Sequence, residues 1–590
     1  MFKNQSILFR LMAYFGMTVT VVLLMLLIVV IIHQMRDDVP SNAIIELNLD
    51  QPILEKVPPD PVGRLLAGQG IEIKTIVDAL EKAKNDDRVS GLLVHMGGNT
   101  MTMGQAEEIR EAIESFKRSG KPVYGYSETF GQLTNATVSY YVATACDRIF
   151  MQPGGDFGVT GLRTERLFLG DFFEKYGFDP DFKQRYEYKN FPDALTGSEF
   201  TEYFREAELA LMNSQYENLI NGISDGRNLD LDEVRTIVDQ GPWFGDKTFD
   251  LGLIDGLYYR DEIYLMMRDN LGDDAEFYYL ENYYQETNSA WDRGKKVALI
   301  QGDGLIVGGE SHYDPLMMQS IMGSETLSRA FRSAIDDEVE AIIFRVTSTG
   351  GTPWAAEAVR REMHRAIEND IPVIATMGDV AGSGGYYLAI GASKIVAHPS
   401  TITASIGVTG GKLVVRDFAE EFGLRFDHVE TSPSSGFHDF TAPYNEHHRE
   451  RLNDWLDYYY ELFVEKVAED RNMSFNEVHE IAKGRVWSGS NALELGLIDE
   501  LGGYLTAINL ARKEAGIDPD EDILLKRYPP EPGILDMIRG ERPESSEKLA
   551  AARSWKAVQN QLAPIIEIAR SAGFLEPVKL YEMPRFDFIR

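Results

Sequence analysis

The chain has 590 residues, of which 44% are hydrophobic and 26% are charged. Since one hydrophobic core serves roughly 100 to 200 residues, this length predicts at least two domains. The formal charge is −35, from 58 Lys and Arg against 93 Asp and Glu, and a surface this negative repels nucleic acid, which we do not expect as a partner. The single cysteine, Cys146, excludes an intramolecular disulfide and is expected to be buried, and no Cys/His spacing typical of a zinc site is present.

An uncharged segment near the N-terminus predicts a membrane anchor. Residues 11–32 carry no charged side chain and, at 1.5 Å per residue, are long enough to cross roughly 30 Å of hydrocarbon. A polar stretch follows this segment where a cleavable signal peptide would have a small-residue cleavage site. Lys3 and Arg10 precede the span, whereas Arg36 is followed by two aspartates, which predicts that residues 1–10 are cytoplasmic. The rest of the chain is then expected on the periplasmic or extracellular side.

A long internal repeat is the most informative feature of the sequence. The segment that begins at Asp87 recurs from Asp337, and the Leu-Gly-Leu-Ile-Asp segment at residues 251–255 recurs at residues 495–499, so the repeat is about 250 residues long. The matches between these points stay in the same order, as expected of a duplicated domain. The repeat predicts an N-terminal domain at residues 40–285, a junction within residues 282–296, a C-terminal domain at residues 295–527 and an extension at residues 528–590.

Helix and strand patterns alternate within each half. In the second half, residues 327–335 place apolar side chains at the spacing of one helical face, and the apolar run at residues 341–346 is typical of a buried strand. In the first half, residues 73–80 carry the same helical stripe, and a strand begins near Gly91. This alternation, with short glycine-bearing turns, predicts two tandem α/β domains with largely parallel sheets.

A serine lies where a predicted strand meets a predicted helix. The strand at residues 372–377 runs into a glycine-rich turn that contains Ser383, and a Tyr-Tyr-Leu-Ala helical segment follows. A serine at such a position lies beside a helix N-terminus, whose free N–H groups stabilise negative charge on a reacting group. The sequence leaves two roles open for Ser383, that of a nucleophile and that of an ordinary helix N-cap.

A second glycine turn, at residues 348–351, ends the preceding strand. Parallel strands bring their carboxyl ends to one crevice, which makes the N–H groups of Gly351 and Gly384 candidates for an oxyanion hole. The alternative is that these glycines are present because a tight turn needs positive φ.

A serine nucleophile needs a base, and the histidines of the second half do not supply an obvious one. His398 ends a predicted strand, while His447 and His448 lie at the start of a polar helix, so we expect surface roles for all three. A lysine serves instead if burial lowers its pKa by about 3 units from roughly 10.4, at a cost of about 4 kcal/mol. Such a lysine must lie in a closed apolar site.

Taken together, these features resemble the signal peptide peptidase A family in its long, membrane-anchored tandem form. The resemblance spans nearly the whole chain and is carried by the anchor, the duplication, the paired Leu-Gly-Leu-Ile-Asp segments, Ser-Thr-Gly-Gly at 348–351, Gly-Ser-Gly-Gly-Tyr-Tyr at 382–387 and Thr-Ala-Ser-Ile-Gly at 403–407. It implies two crotonase-like and Clp-protease-like domains and a Ser-Lys dyad. By this resemblance Ser383 is the nucleophile, Lys189 of a Tyr-Lys segment is the general base, Ser405 orients the lysine, and Gly351 and Gly384 form the oxyanion hole.

The two halves have lost complementary parts of this machinery. Thr137 aligns with Ser383, and residues 429–446, the counterpart of the Lys189 region, contain no lysine. One half therefore supplies the base and the other the nucleophile, so the dyad is expected at the interface between them. The family usually has a glycine shortly before its Tyr-Lys, where this chain has Tyr186 and Glu187. Glu187 would raise the pKa of Lys189 if both were buried together.

The sequence therefore predicts a membrane-anchored serine endopeptidase that needs no metal or other cofactor. By the same resemblance, its substrates are signal peptides left in the membrane after preprotein processing and other unfolded apolar polypeptides. The expected assembly is a homotetramer, and the expected location is the bacterial inner membrane with the catalytic domains on the periplasmic side. Two other hypotheses are a noncatalytic membrane-anchored peptide-binding scaffold of the same fold and an acyl-CoA enzyme on the related crotonase fold. The predicted topology and the negative charge argue against the acyl-CoA enzyme.

Overall fold

The computed structural model describes residues 39–57, 70–98, 101–287, 289–314 and 319–529. The predicted anchor at residues 11–32 and nearly all of the predicted C-terminal extension lie outside these ranges. Within them, none of the helices combines the length and the apolar character that a membrane crossing requires.

Helices and strands alternate along both halves of the chain. The helices are Ile73–Lys84, Met103–Lys117, Thr137–Ala143, Gly170–Lys175, Asp193–Thr196, Glu202–Arg227, Leu231–Gln240, Asp246–Asp250, Arg260–Leu271, Leu280–Thr287, Ser324–Asp336, Pro353–Glu368, Gly384–Ala389, Arg416–Glu421, Glu446–Asp470, Phe475–Ile481, Gly489–Glu494 and Tyr504–Glu514. Short strands that form small two- and three-stranded sheets are Ile53–Leu54, Ile71–Glu72, Asp156–Phe157, Asp179–Arg185, Trp243–Phe244, Leu305–Val307, His312–Asp314, Gln319–Gly323 and Val408–Val414.

Each half contains one large sheet. The first sheet has six parallel strands in the spatial order Gly256–Leu257, Arg148–Met151, Val123–Ser127, Val89–His95, Ala43–Asn48 and Glu276–Tyr279. The second has eight strands, with the path Val486–Ser488, Ile402–Ala404, Val373–Gly382, Ala341–Ser348, Lys295–Asp303 and Ile523–Tyr528, and with Lys394–Ala397 and Glu500–Leu501 beside it. The chain is therefore built of two α/β repeats, as the duplication predicts.

The structure confirms the elements that the amphipathic patterns predict, with one difference at the turn before Ser383. The apolar stripe at residues 327–335 lies in the helix Ser324–Asp336, and the apolar run that follows is the strand Ala341–Ser348. The strand expected to end at Met377 continues to Gly382 instead. It continues because its second part pairs with Ile402–Ala404, a neighbour that the local sequence does not reveal.

The two repeats share part of their hydrophobic core. Val297 and Leu299 pack within the large cluster of the first half, whereas Ala298 and Ile300 pack within the cluster of the second half. Successive residues of a strand point to opposite faces of a sheet. One face of the second sheet therefore completes the core of the first repeat. Cys146 is buried in that shared core, as expected.

A small two-stranded sheet also joins the repeats. The strand Asp179–Arg185 of the first half pairs antiparallel with Val408–Val414 of the second. Asp181 is 8% exposed and accepts hydrogen bonds from the guanidinium of Arg449 at 3.1 Å. This pairing carries the first-half segment that follows, residues 186–190, onto the second half.

Candidate active site

Ser383 lies on a strained turn between a strand and a helix. The turn follows the strand Val373–Gly382, and Ser383, with φ of 53°, precedes the helix Gly384–Ala389. Its N–H donates to the carbonyl of Ala404 at 2.7 Å, while its hydroxyl makes no cap bond to the helix. Of the two roles that the sequence leaves open, the side chain does not perform that of an N-cap. The hydroxyl is therefore free to meet a partner from elsewhere in the chain.

That partner is Lys189 of the first repeat. Its Nζ lies 3.0 Å from Ser383 Oγ, and it donates to the Ser405 carbonyl at 2.9 Å and to Ser405 Oγ at 3.0 Å. The lysine is 7% exposed, and burial lowers the pKa of its amine from 10.5 to about 7. A large share of this amine is therefore neutral near pH 7 and able to accept a proton.

Close backbone packing holds the lysine in place. Gly484, with φ of 86°, lies against it, so a Cβ at this position would be only 2.5 Å from Lys189 Cβ and N. The N–H of Tyr188 donates to the carbonyl of Lys483 at 3.1 Å, and the N–H of Ser405 donates to the carbonyl of Arg485 at 2.9 Å. One second-half segment, residues 483–485, therefore contacts both the turn that carries Lys189 and the turn of Ser405, which holds the amine.

Gly351 and Gly384 lie close together beside Ser383. A Cβ on Gly384 would lie 3.1 Å from Gly351 N, and a Cβ on Gly350 would lie 2.8 Å from Ser383 Cβ. Ile306 pairs with the carbonyl of Gly350 and the N–H of Thr352, so this bridge does not use the Gly351 N–H. Gly384 begins a helix, where N–H groups lack intrahelical acceptors. Gly351 also has φ of 151°, and a Cβ there would collide with the Ile306 carbonyl.

The structure thus brings together all five residues that the sequence singles out. The opposing effect expected of Glu187 is not realised, because Glu187 is only partly buried and burial alone accounts for the shifted pKa of Lys189. Thr137, the counterpart of Ser383, instead accepts a hydrogen bond from the N–H of Thr160 at 3.2 Å. It stabilises a loop of the first repeat.

Two of the three histidines contradict their predicted surface roles. His398 is 2% exposed, with Nε2 3.1 Å from Glu108 Oε2, and His448 is 4% exposed, with Nε2 2.8 Å from the Pro433 carbonyl. His398 folds inward because its partner comes from the other repeat, and His448 does so because the loop before its helix folds back over it. Burial opposes protonation of His398, but the neighbouring carboxylates of Glu108, Glu107 and Glu111 together outweigh it and raise the pKa of His398.

The repeats also meet in a buried ionic cluster, which was not predicted from the sequence. Arg345 NH1 lies 2.9 Å from Glu108 Oε2, and its Nε donates to Glu55 Oε1 at 2.6 Å. Glu107 accepts from the N–H and hydroxyl of Ser400 at 2.9 and 2.7 Å. The available signal was Arg345 itself, since a charged residue inside an otherwise apolar strand needs a buried partner.

Two groups among the described residues bring metal-ligating atoms close together, namely Asp50, His95 and Glu128, and Glu108, Glu111 and His398. His95 Nε2 lies 2.7 Å from Glu128 Oε2, so the carboxylate already occupies that ring nitrogen. In the second group the Arg345 guanidinium adjoins Glu108, and its charge disfavours a second cation. Neither group includes Ser383 or Lys189.

An alcohol beside a desolvated amine, with the backbone nitrogens of two glycines close by, has the arrangement of a serine hydrolase in which lysine takes the place of histidine. Comparison with known proteins gives the family. The model of peptidase family S49 matches residues 115–272 and 365–518, one segment in each repeat. The chain belongs to peptidase family S49 and is a serine peptidase.

Relatives with similar sequences agree with this assignment. The chloroplastic serine protease SPPA of Arabidopsis thaliana is 30% identical over 507 residues, which cover 84% of this chain and 73% of that protein. Protease 4 of Salmonella typhi is 27% identical over 527 residues, which cover 86% and 82%. A putative signal peptide peptidase SppA of Enterococcus faecium is 29% identical over 242 residues, which cover 40% and 69%.

Proposed function

We propose that this protein is a membrane-anchored serine endopeptidase that degrades signal peptides left in the membrane after preprotein processing, with Ser383 and Lys189 as its catalytic dyad. The observation that carries the dyad is the 3.0 Å separation of Lys189 Nζ and Ser383 Oγ across the two repeats. Hydrogen-bond reach of this kind is what proton transfer between nucleophile and base requires. The complementary losses in the two repeats support the same pairing.

In the first step, the neutral Lys189 amine takes the proton of Ser383 as Oγ attacks the carbonyl carbon of the scissile peptide bond. The carbonyl oxygen becomes an oxyanion, and the N–H groups of Gly351 and Gly384 donate hydrogen bonds to it. The Lys189 ammonium then gives its proton to the leaving amine, the C–N bond breaks, and an acyl-enzyme forms on Ser383. Ser405 keeps the amine aimed at Ser383 by accepting through its carbonyl and hydroxyl oxygens.

In the second step, Lys189 takes a proton from water as the water oxygen attacks the ester carbonyl. The collapse of this intermediate returns the proton to Ser383 and releases the carboxylic acid product. Apart from the attacking water, every group that this mechanism uses is a side chain or backbone N–H of this chain, so the mechanism calls for no metal and no cofactor.

The substrate, location and assembly follow from the resemblance and the relatives. A relative named as a putative signal peptide peptidase supports apolar signal peptides as substrates, and an extended peptide suits strand addition beside the serine turn. The uncharged segment at residues 11–32 supports a single-pass anchor in the bacterial inner membrane with the peptidase on the periplasmic side. We assign both repeats to the crotonase-like and Clp-protease-like fold and infer a homotetramer, again by resemblance.

Two substitutions test the dyad. Ser383→Ala and Lys189→Ala should each abolish hydrolysis of a signal-peptide-like substrate, because the first removes the nucleophile and the second removes its base. Peptide cleavage by the full-length protein in detergent measures this, together with labelling by a serine-directed acylating probe. Thr137→Ala is the matched control, since it changes the first-repeat counterpart of Ser383 and should leave cleavage at the wild-type rate.

Full activity in either dyad variant would overturn the assignment. A noncatalytic scaffold would instead bind the peptide, leave it intact and take up no probe at Ser383.

A further inference from the structure

Arg485 contacts the turn that carries Lys189 and the turn that carries Ser405, although it does not touch the reacting atoms. Its backbone carbonyl accepts the N–H of Ser405 at 2.9 Å, and Ser405 in turn holds the Lys189 amine. Its side chain points to the first repeat, where the guanidinium lies 4.8 Å from the ring of Tyr188, the residue before Lys189. One residue of the second repeat thus links the Ser405 turn to the Lys189 turn.

Glu206 of the helix Glu202–Arg227 completes this link. Arg485 NH1 donates to Glu206 Oε1 at 2.8 Å, and the hydroxyl of Tyr188 donates to Glu206 Oε2 at 2.8 Å. Both oxygens of one first-repeat carboxylate are therefore used, one by each repeat. The guanidinium also lies 4.4 Å from the ring of Trp487. The side chain of Arg485 is 18% exposed, and this enclosure strengthens its cation–π contacts, whereas Glu206, its partner in the ion pair, is 51% exposed.

We propose that Arg485 is a positioning residue of the peptidase reaction, which locks the Lys189 turn against the Ser405 turn through its paired contacts with Glu206 and Tyr188. The proposal rests on the proposed function of the dyad. The contacts of Arg485 bridge the two turns, so we expect them to limit the access of water to Lys189 as well as to orient it. If the contacts of Arg485 with Glu206 and Tyr188 are lost, water reaches the Lys189 amine. The amine is then less desolvated, and its pKa rises.

Water access, rather than a change of nearby charge, is the quantity that the lock controls. Burial alone lowers the pKa of Lys189. Charged and titratable groups meet the two segments around Lys189 from several elements: Glu206 bonds to Tyr188 and Arg485, and Tyr460 and His479 lie against Tyr186. Asp457 pairs with Arg185, Glu480 pairs with Lys483, and Glu187 lies two residues before Lys189. A variant that breaks the lock should therefore raise the pKa of Lys189 from about 7 toward its ordinary value.

The test is the pH dependence of kcat/KM in the full-length protein. Wild-type kcat/KM should rise with pH through an acid limb near 7, because only the neutral amine accepts a proton. Arg485→Met keeps the aliphatic bulk and removes the guanidinium, and its acid limb should move up by about one unit, which lowers kcat/KM at pH 7 about fivefold. KM should change less than about twofold, and activity should recover at higher pH.

Two further variants sharpen the test. Glu206→Gln removes the same ion pair from the other repeat, at a side chain that is 51% exposed, and should shift the limb in the same direction. Arg485→Lys should shift the acid limb less than Arg485→Met does, since an ammonium still pairs with Glu206 but does not lie flat on an aromatic ring. Glu217→Gln is the matched control. It breaks the 2.7 Å pair with Arg235 on the same helix and should leave the limb unmoved.

The outcomes separate this proposal from the proposed function. An unmoved acid limb in both Arg485→Met and Glu206→Gln, with Ser383→Ala and Lys189→Ala inactive, overturns the positioning role and leaves the dyad standing. Full activity in Ser383→Ala or Lys189→Ala overturns both. If thermal unfolding shows that Arg485→Met does not fold, the limb of Glu206→Gln decides the question.

Discussion

Lys189 is a residue at which function and stability oppose each other. In the folded chain the pKa of its amine is about 7, against 10.5 ordinarily. Between these two pH values the unfolded chain binds one more proton than the folded chain, so the free energy of unfolding rises with pH across this window. Below pH 7 both states are protonated, and burial of the charged amine then costs about 4 to 5 kcal/mol.

The substitution Lys189→Met should therefore stabilise the protein at low pH. We expect its advantage over the wild type in the free energy of unfolding to be largest near pH 6 and to shrink by about 4 to 5 kcal/mol as the pH approaches 10.5. Urea unfolding of both proteins at a series of pH values measures this difference. A difference that stays constant with pH would show that the amine is not buried as a neutral base.

At the scale of the turns, Gly484 lies against Lys189. A substitution there can be used to distinguish a steric clash with Lys189 from the backbone strain of an alanine at positive φ. Gly484→Ala would place a methyl group 2.5 Å from Lys189 Cβ, so the lysine turn must shift and the contact with Ser383 should be lost. We expect peptide hydrolysis to fall at least about a hundredfold, because misplacement by about 1 Å is enough for such a loss. The overall fold should persist, as circular dichroism would show.

Gly496→Ala is the matched control for this change. Gly496 has a similar left-handed φ of 72° against 86° at Gly484, but its Cβ would meet nothing within 4 Å. Both variants carry the same backbone strain, of about 1 kcal/mol, while only Gly484→Ala touches the base. Equal activity in the two variants would refute the steric explanation.

Elements that local sequence controls were the predictable ones. The helix Ser324–Asp336 and the strand Ala341–Ser348 carry clear 3.6-residue and apolar patterns, and the sequence identifies both. The strand Asp179–Arg185 reads Asp-Pro-Asp-Phe-Lys-Gln-Arg, with no apolar alternation. It is a strand only because Val408–Val414, more than 200 residues away, supplies its hydrogen-bonding partners.

The residues of the active site also differ in whether the local sequence marks them. Ser383, Gly351 and Gly384 lie on turns that the sequence marks with glycines, whereas Lys189 entered through the family resemblance. The orienting effect of Arg485 and the burial of His398 depend on side chains from the opposite repeat. No local pattern could reveal them.

Over the whole molecule, the docking of one repeat on the other is what creates the active site. The apolar part of this interface is the shared core, and its polar part is the cluster around Glu108, which is 1% exposed and lies 2.9 Å from Arg345 and 3.1 Å from His398. Burial opposes ionisation of Glu108, but the charges of Arg345 and His398 outweigh it and lower the pKa of Glu108. The cluster is thus a set of compensating charges that loses its balance when one member is removed.

Glu108→Gln should therefore weaken the docking and the activity together. It leaves the Arg345 guanidinium without one of its two buried carboxylates, and breaking a buried pair in this way costs about 3 to 5 kcal/mol. We expect the urea midpoint of unfolding and the labelling of Ser383 by an acylating probe to fall in parallel, because the amine and the hydroxyl come from different repeats. Glu368→Gln, which breaks the exposed pair with Arg361, should change the free energy of unfolding by less than about 1 kcal/mol and leave labelling intact. If Glu108→Gln retained wild-type stability while labelling was lost, the cluster would act on the site directly and not through docking.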